Sequence, residues 1–256
     1  MRAILTYHSV DPSGSAISLD AGAFRRHVDW LAKGRVRVVP LAEIARDPRG
    51  GEGGGGDDDA VALTFDDGFA NFRDAAWPPL HEHGWAATLF VVSGHAGGTN
   101  AWGGRDAPGI PTLPLLDWDA LGALAEQGVT LGAHSRTHPD LTALADGALA
   151  EQMTGSADDI AANTGRRPDA FAYPYGATDG RVEAAVAGAF RLAVTTELRA
   201  LDGTERPHAL PRLDTFYLRE PGRLERWGSS GFRRWLAFRA GLRRLRAALR
   251  TGTRSA

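Results

Sequence analysis

Four polar clusters each follow a short apolar run: Tyr7-His8, Asp66-Asp67-Gly68, His134 with His138, and Tyr173-Pro174-Tyr175-Gly176. Taken singly, each has an ordinary reading, since Asp-Asp-Gly is a turn or helix cap and a lone His at a strand end is structural or exposed. Together they supply two imidazoles and an adjacent pair of carboxylates. His134 and His138 stand four residues apart, so a helical turn or tight loop brings both rings to one side, and Pro139 limits any longer helix. Two neutral imidazoles and one carboxylate form a three-ligand divalent site that leaves positions for water and substrate. The chain has no cysteine, so any metal must use N and O ligands, with zinc the default and cobalt, nickel or iron the alternatives. Neighbouring side chains at Asp66 and Asp67 point different ways. One can bind the cation while the other serves as base toward its water, a division that suits amide or ester hydrolysis.

Elements must deliver these groups to one place. Strand candidates run over Ala3 to Tyr7, Val36 to Val39, Ala60 to Phe65, Ala87 to Val92, Val129 to Ala133, Ala170 to Tyr173, Leu192 to Thr196 and Ala209 to Leu213. Between them lie helix candidates at Ala21 to Ala32, Phe72 to Gly84 (interrupted by Pro78-Pro79), Trp118 to Gln127, Leu144 to Thr164 and Gly180 to Ala189. Asp117 is placed to N-cap the third of these and Gly128 to stop it. Strand–helix alternation implies a parallel α/β fold, in which the C-terminal strand ends converge on one face. The glycine-rich run Gly50 to Gly56, followed by Asp57-Asp58-Asp59, reads as a flexible exposed loop within the domain. Gly94 to Pro114, with Trp102 in its middle, is long enough to wall a binding site.

Three of these segments, Thr64-Phe65-Asp66-Asp67-Gly68, His134-Ser135-Arg136-Thr137-His138 and Phe171-Ala172-Tyr173-Pro174-Tyr175-Gly176, in this order and spacing, resemble the motifs of the polysaccharide deacetylases with the NodB homology domain, carbohydrate esterase family 4. The resemblance covers the chain from Tyr7-His8 to about Leu210-Pro211-Arg212. It implies a distorted (β/α) barrel, usually seven-stranded, and metal-dependent removal of N- or O-acetyl groups from sugars. Carried over residue by residue, it makes Asp66 the catalytic base, Asp67, His134 and His138 the metal ligands, and Tyr175 the residue whose backbone N–H helps bind the oxyanion. Pro174 and Tyr173 belong to the same motif, and Trp102 and Tyr173 offer flat faces to sugar rings. Two positions depart from the pattern. Ala172 stands where the family often has an Arg that pairs with the catalytic Asp, and Arg212 is the candidate to replace it. The family's late Leu-x-x-His motif, which supplies the catalytic acid, is not evident, which leaves His208 and His8 as candidates.

Composition narrows the classes further. At 256 residues, 43% hydrophobic and 23% charged, the chain suits one large domain and excludes disorder, collagen and a membrane-spanning protein. It opens directly into a strand-like segment without an apolar signal region, so a cytoplasmic location is expected. The net charge of −2 conceals a split, because Gly222 to Ala256 carries ten Arg and one Glu, a local +9 that leaves −11 for residues 1–221. These define a barrel domain, 1–221, and a basic tail, 222–256. In the tail, Phe232, Trp235, Phe238, Leu242, Leu245 and Leu249 recur at spacings of three and four, as one apolar stripe of an amphipathic helix. Such a stripe either docks on the body or attaches peripherally to an anionic membrane. No nucleic-acid partner is expected beside an acidic body that carries no such motif. An acetylated glycan or amino sugar is the expected substrate. Two competing readings remain: a non-haem Fe(II) oxygenase with the same ligand set, and a catalytically impaired glycan-binding or membrane-associated module of a polysaccharide assembly system.

Overall fold

The computed structural model describes residues 1–47 and 59–252, with residues 246–252 as backbone. The glycine-rich run 50–56 and Asp57-Asp58 lie outside the described residues. The strands are β1 (Arg2–Tyr7), β2 (Ser9–Val10), β3 (Ser18–Leu19), β4 (Arg37–Val38), β5 (Ala60–Phe65), β6 (Ala87–Val91), β7 (Thr130–Ala133), β8 (Ala170–Ala172), β9 (Leu192–Val194) and β10 (Leu213–Asp214). The helices are α1 (Ala21–Ala32), α2 (Leu41–Arg46), α3 (Trp77–Glu82), α4 (Trp118–Glu126), α5 (Asp146–Thr164), α6 (Gly180–Ala187) and α7 (Ser230–Gly252). The main sheet runs β10-β1-β5-β6-β7-β8-β9, parallel throughout, and β4 adds to the start of β5. Leu210 bridges Val194 of β9, and three residues later Leu213 pairs with Leu5 of β1, which draws the sheet round into the distorted (β/α) barrel.

Every residue of β1 and β5 is buried, as expected for parallel strands covered on both faces. Because side chains alternate along a strand, one parity faces the surrounding helices and the other faces the barrel interior. On β5, Val61, Leu63 and Phe65 pack outward with Phe24, Phe72 and Leu80, whereas Ala60 and Ala62 join Ile4, Phe90, Ala172 and Val194 inside. The interior is therefore built from small residues around a few large ones. Gly132 shows how tight it is, since a Cβ there would sit 2.4 Å from the Phe90 ring. The outward layer carries an aromatic cluster in which Tyr7 stacks on Phe65 at 4.8 Å and Phe72 meets Phe65 edge-on at 4.7 Å. Truncating one such ring typically costs about 3–5 kcal/mol.

Helix punctuation follows local chemistry. The Asp117 carboxylate accepts the Ala120 N–H at 2.9 Å, and Gly128 takes φ 102° after α4 ends. The expected helix from Phe72 begins instead as a wide turn, Phe72–Ala76, in which the Trp77 N–H donates to the Phe72 carbonyl. Pro78 and Pro79 then open α3, where their missing N–H groups leave no helical bond unmade.

The tail forms α7, but its apolar residues do not make one stripe. Phe232 and Leu236 are buried against the barrel, while Phe238 and Leu245 are exposed. Docking follows the ion pairs and ring contacts the body offers, so the helix turns Phe232, Leu236 and Ala240 inward and leaves Phe238 and Leu245, about half a turn away, outside. Leu249 falls among the residues described as backbone. Among the described residues, no helix is long and apolar enough to cross a membrane.

Candidate active site and metal centre

Strand register and parity together assemble the site. β1 pairs with β5 without slippage, from Arg2 with Ala60 to Tyr7 with Phe65, so His8 and Asp66 leave neighbouring strands side by side. The Asp66 N–H continues the ladder by donating to the Tyr7 carbonyl at 2.9 Å. Both side chains have the inward parity of Ile4 and Ala62. The His8 Nε2 lies 3.8 Å from Asp66 Oδ2. On β7, His134 shares the inward parity of Gly132.

Asp66 is held by Arg212. Their contact is bidentate, Nη1 to Oδ1 and Nη2 to Oδ2, both 2.7 Å, with both side chains almost fully buried. Arg212 also donates to the Thr195 carbonyl and to Thr64 Oγ1. Burial by itself would raise the Asp66 pKa, but the charge and hydrogen bonds of Arg212 overcome it and hold the carboxyl well below the usual carboxylate range. Arg212 thus makes with Asp66 the pairing that Ala172 has no side chain to make.

Asp67, His134 and His138 present ligand atoms that all lie within 4.8 Å of one another. Asp67 Oδ1 is 3.4 Å from His134 Nε2 and 3.5 Å from His138 Nε2, yet it is buried and makes no hydrogen bond among the described residues. Three lone-pair donors in such proximity repel unless a proton or cation sits between them, so the residues fit a divalent metal with two N and one O ligands. His134 Nδ1 donates to the Ala172 carbonyl at 2.7 Å, which fixes the tautomer and leaves Nε2 free for ligation. Burial pushes the His138 pKa down to about 4, so this ring is neutral, as a ligand must be. Burial also works against charge on His134, but the adjacent Asp67 carboxylate, the Asp66 charge and the Ala172 carbonyl raise its pKa on balance.

Backbone strain marks the same place. Among the described residues, the non-glycine positions with positive φ are Asp67 (73°), Ser135 (64°), His138 (58°) and Tyr175 (59°), and all four surround this pocket. The segment from His134 to His138 is a tight loop, not a helix. Ser135 Oγ accepts the His138 N–H at 3.0 Å and folds the loop back on itself. From outside, Gln152 of α5 accepts the Arg136 and Thr137 N–H groups, and Asp159 takes a two-point contact from Arg136 together with the Ser93 hydroxyl. Sequence reasoning missed Ser135, Gln152 and Asp159. Only the polar pair at a seven-residue interval on one face of α5 hinted at them.

Trp102 from the long loop lies over His138, ring centroids 4.7 Å apart and nearly parallel, and Tyr175 meets the same imidazole edge-on at 4.6 Å. Pro174 is buried at the start of the turn that holds Tyr175, and Gly176 closes that turn by donating to the Tyr173 carbonyl. No other residue fits at Gly176, where φ is 70° and a Cβ would lie 2.1 Å from Thr196 Oγ1.

Two expected residues are elsewhere. Tyr173 has the outward parity of Phe171, so its ring is buried in the helix-facing core and its hydroxyl donates to the His208 carbonyl, which leaves no face for a sugar. His208 does not reach Asp66, because its Nε2 is bonded to the carbonyl of Phe190, before the start of β9 and toward the opposite end of the barrel. Of the two candidate acids, His8 is the one in the pocket.

A family model described as polysaccharide deacetylase matches residues 53–190, more than half of the chain. The chain belongs to the polysaccharide deacetylase family. Its enzyme class is therefore that of carbohydrate deacetylases. The poly-beta-1,6-N-acetyl-D-glucosamine N-deacetylase of Staphylococcus epidermidis is 26% identical over 82% of this chain and 77% of its own length. In fold, the chain is similar to Streptococcus pyogenes deacetylase PplD in complex with acetate, with TM-score 0.68, 21% identity, and coverage of 83% of this chain and 91% of that one. IcaB from Ammonifex degensii gives TM-score 0.69 and 23% identity over 84% of this chain and 94% of its own.

Proposed function

We propose that this deacetylase removes acetyl groups from an N-acetylated glycan or amino sugar, with a divalent metal held by Asp67, His134 and His138. The observation that carries the reading is the pairing of an orphaned, buried Asp67 Oδ1 among two imidazoles with an Arg-clamped Asp66 next door. When bound, the cation supplies Lewis acidity, polarising the acetyl carbonyl and acidifying a water. Asp66, ionised by its contact with Arg212, accepts that water's proton as the oxygen attacks the carbonyl carbon. Charge develops on the carbonyl oxygen, and the Tyr175 N–H, carried on its left-handed turn, is positioned by the motif to stabilise it. His8 Nε2 then gives a proton to the leaving nitrogen, the C–N bond breaks, and a free amine and acetate result. Trp102 and the exposed ring of Tyr175 supply apolar surface at the mouth for a sugar ring.

Two contacts weigh against a module without catalysis: Arg212 makes with Asp66 the pairing that Ala172 cannot, and His8 stands 3.8 Å from Asp66, where an acid would act. The α/β barrel likewise lends no support to an oxygenase. The test measures bound metal and acetate release from N-acetylated glucosamine oligomers. Asp66→Asn is expected to keep metal and lose turnover, and Asp67→Asn to lose both. His8→Ala should lower kcat by about 10²-fold or more, whereas His208→Ala should leave it near wild type. Metal-loaded wild type that releases no acetate from any acetylated sugar would remove the basis for the reading.

A further inference from the structure

α7 begins beside the starts of the strands and ends beyond their finish. Gly228 lies against Met1 and Asp59, and the Trp227 indole donates to the Met1 carbonyl, so the approach to the helix sits at the bottom of β1 and β5. Thirteen residues above Ser230, a rise of about 20 Å, Arg243 stands 3.6 Å from Asp214 at the end of β10. Arg244 pairs at 2.9 Å with Glu197, just past β9. The helix then continues to Gly252, roughly another 12 Å past the face where the site opens.

Its inner face packs on the body. Phe232 and Leu236 are buried, Arg239 stacks over Tyr217, and Arg223 covers Trp235. Its outer face carries Arg234, Phe238, Gly241 and Leu245, all exposed and spaced i, i+4, i+7 and i+11. Phe238 and Leu245 are 63% and 58% exposed, and among the described residues the remaining exposed large hydrophobic, Tyr175, is in the site. Arg234 makes no hydrogen bond or ion pair among the described residues. Beyond Leu245 the sequence adds Arg246, Arg250 and Arg254 and no acidic residue.

We propose that this outer stripe seats α7 on the headgroup layer of an anionic lipid bilayer. An outward row of Phe and Leu flanked by arginines, on a segment with a local charge of +9 attached to an acidic body, matches an apolar boundary covered by negative charge. A second copy of the chain fits it poorly, because a two-fold contact would set Arg234 and its neighbours against the same arginines. Since α7 runs parallel to the strands, a helix lying flat in the interface holds the barrel on its side, and the site opens along the membrane surface. A surface-tethered amino sugar is the substrate class that geometry favours, and this consequence, unlike the docking, rests on the deacetylase reading.

The experiment is flotation of the full chain with vesicles of phosphatidylcholine alone or with about 30% phosphatidylglycerol. Binding is expected only to the anionic vesicles, weakened by salt near about 0.5 M. Phe238→Ser with Leu245→Ser should lower partitioning at least about tenfold, with the melting temperature and hydrolysis of a soluble oligosaccharide unchanged. Arg234→Glu should lower it independently. Equal partitioning of wild type and the Ser double variant, or binding indifferent to lipid charge, overturns the proposal. So does a wild-type dimer that the Ser double variant converts to monomer, or binding to a soluble polyanion in place of vesicles. Flotation makes no use of acetate release, so its failure is distinct from failure of the deacetylase reading.

Discussion

Replacing Arg212 with Met tests the electrostatic core of the site. Arg212 and Asp66 are 1% and 2% exposed and share two hydrogen bonds of 2.7 Å, so the variant leaves a carboxylate buried without its counter-charge. Removing one partner of such a pair costs about 3–5 kcal/mol near neutral pH. The sign with pH is distinctive. In the wild type the Asp66 pKa is depressed below 3.8, so its contribution is present above that value and lost only in strong acid. In the variant, burial is opposed only by the smaller pull of His134 and His8 and raises the pKa, so acidification protonates Asp66 and relieves the penalty. The stability gap between wild type and Arg212→Met should therefore be largest near neutral pH and shrink as pH falls toward about 4. Urea denaturation with chelator present, at several pH values, reads the gap directly, and the acid limb of kcat/KM should move upward in the same variant. A gap that does not change with pH, or one below about 1 kcal/mol, would refute the argument, since loss of packing alone has no such dependence.

Three further outcomes are expected. His27 is buried against the Tyr7 hydroxyl and the Leu218 carbonyl, and burial lowers its pKa to about 4. Its neutral form stabilises the fold fully above about pH 6.5, and about 3 kcal/mol should be lost as pH falls toward 4, a loss that His27→Gln removes from the denaturation profile. Gly176→Ala meets both a backbone with φ 70° and the Thr196 atoms, and should destabilise by about 2 kcal/mol or more while lowering kcat more than it raises KM; a fully active, stable variant would contradict the tight turn. Asp159→Ala leaves Arg136 only its exposed pairing with Glu151 and loosens the loop between His134 and His138, so calorimetry should show metal affinity falling about tenfold with the fold intact. Unchanged affinity would mean that Ser135, Gln152 and the Arg136–Glu151 pair suffice to hold the loop.

Much of the site was legible because its groups are short-range signals. Asp66-Asp67-Gly68, the His134 to His138 spacing and Tyr175-Gly176 each declare their chemistry within five residues, and the apolar runs before them declare strands. Even the error at Tyr173 had an answer in the sequence, because the alternation that sends Ala172 inward sends Tyr173 and Phe171 out to the helices. His208 was harder. Nothing local says whether it stands at the mouth of the barrel or, as found, at the other end on the Phe190 carbonyl.

By itself, then, the sequence determined the ligand types, the strand–helix alternation and the charge split, all of which are properties of residues near one another along the chain. Only the tertiary structure decided which distant partners meet. Arg212 reaches Asp66 across 146 positions because Leu210 and Leu213 draw β9 and β1 together, and His8 stands beside Asp66 because β1 and β5 pair without slippage. Which side of α7 faces outward was likewise set by the surface it packs on. Parallel pairing and barrel closure are long-range contacts, and the helical period places apolar residues without saying which of them will find a partner.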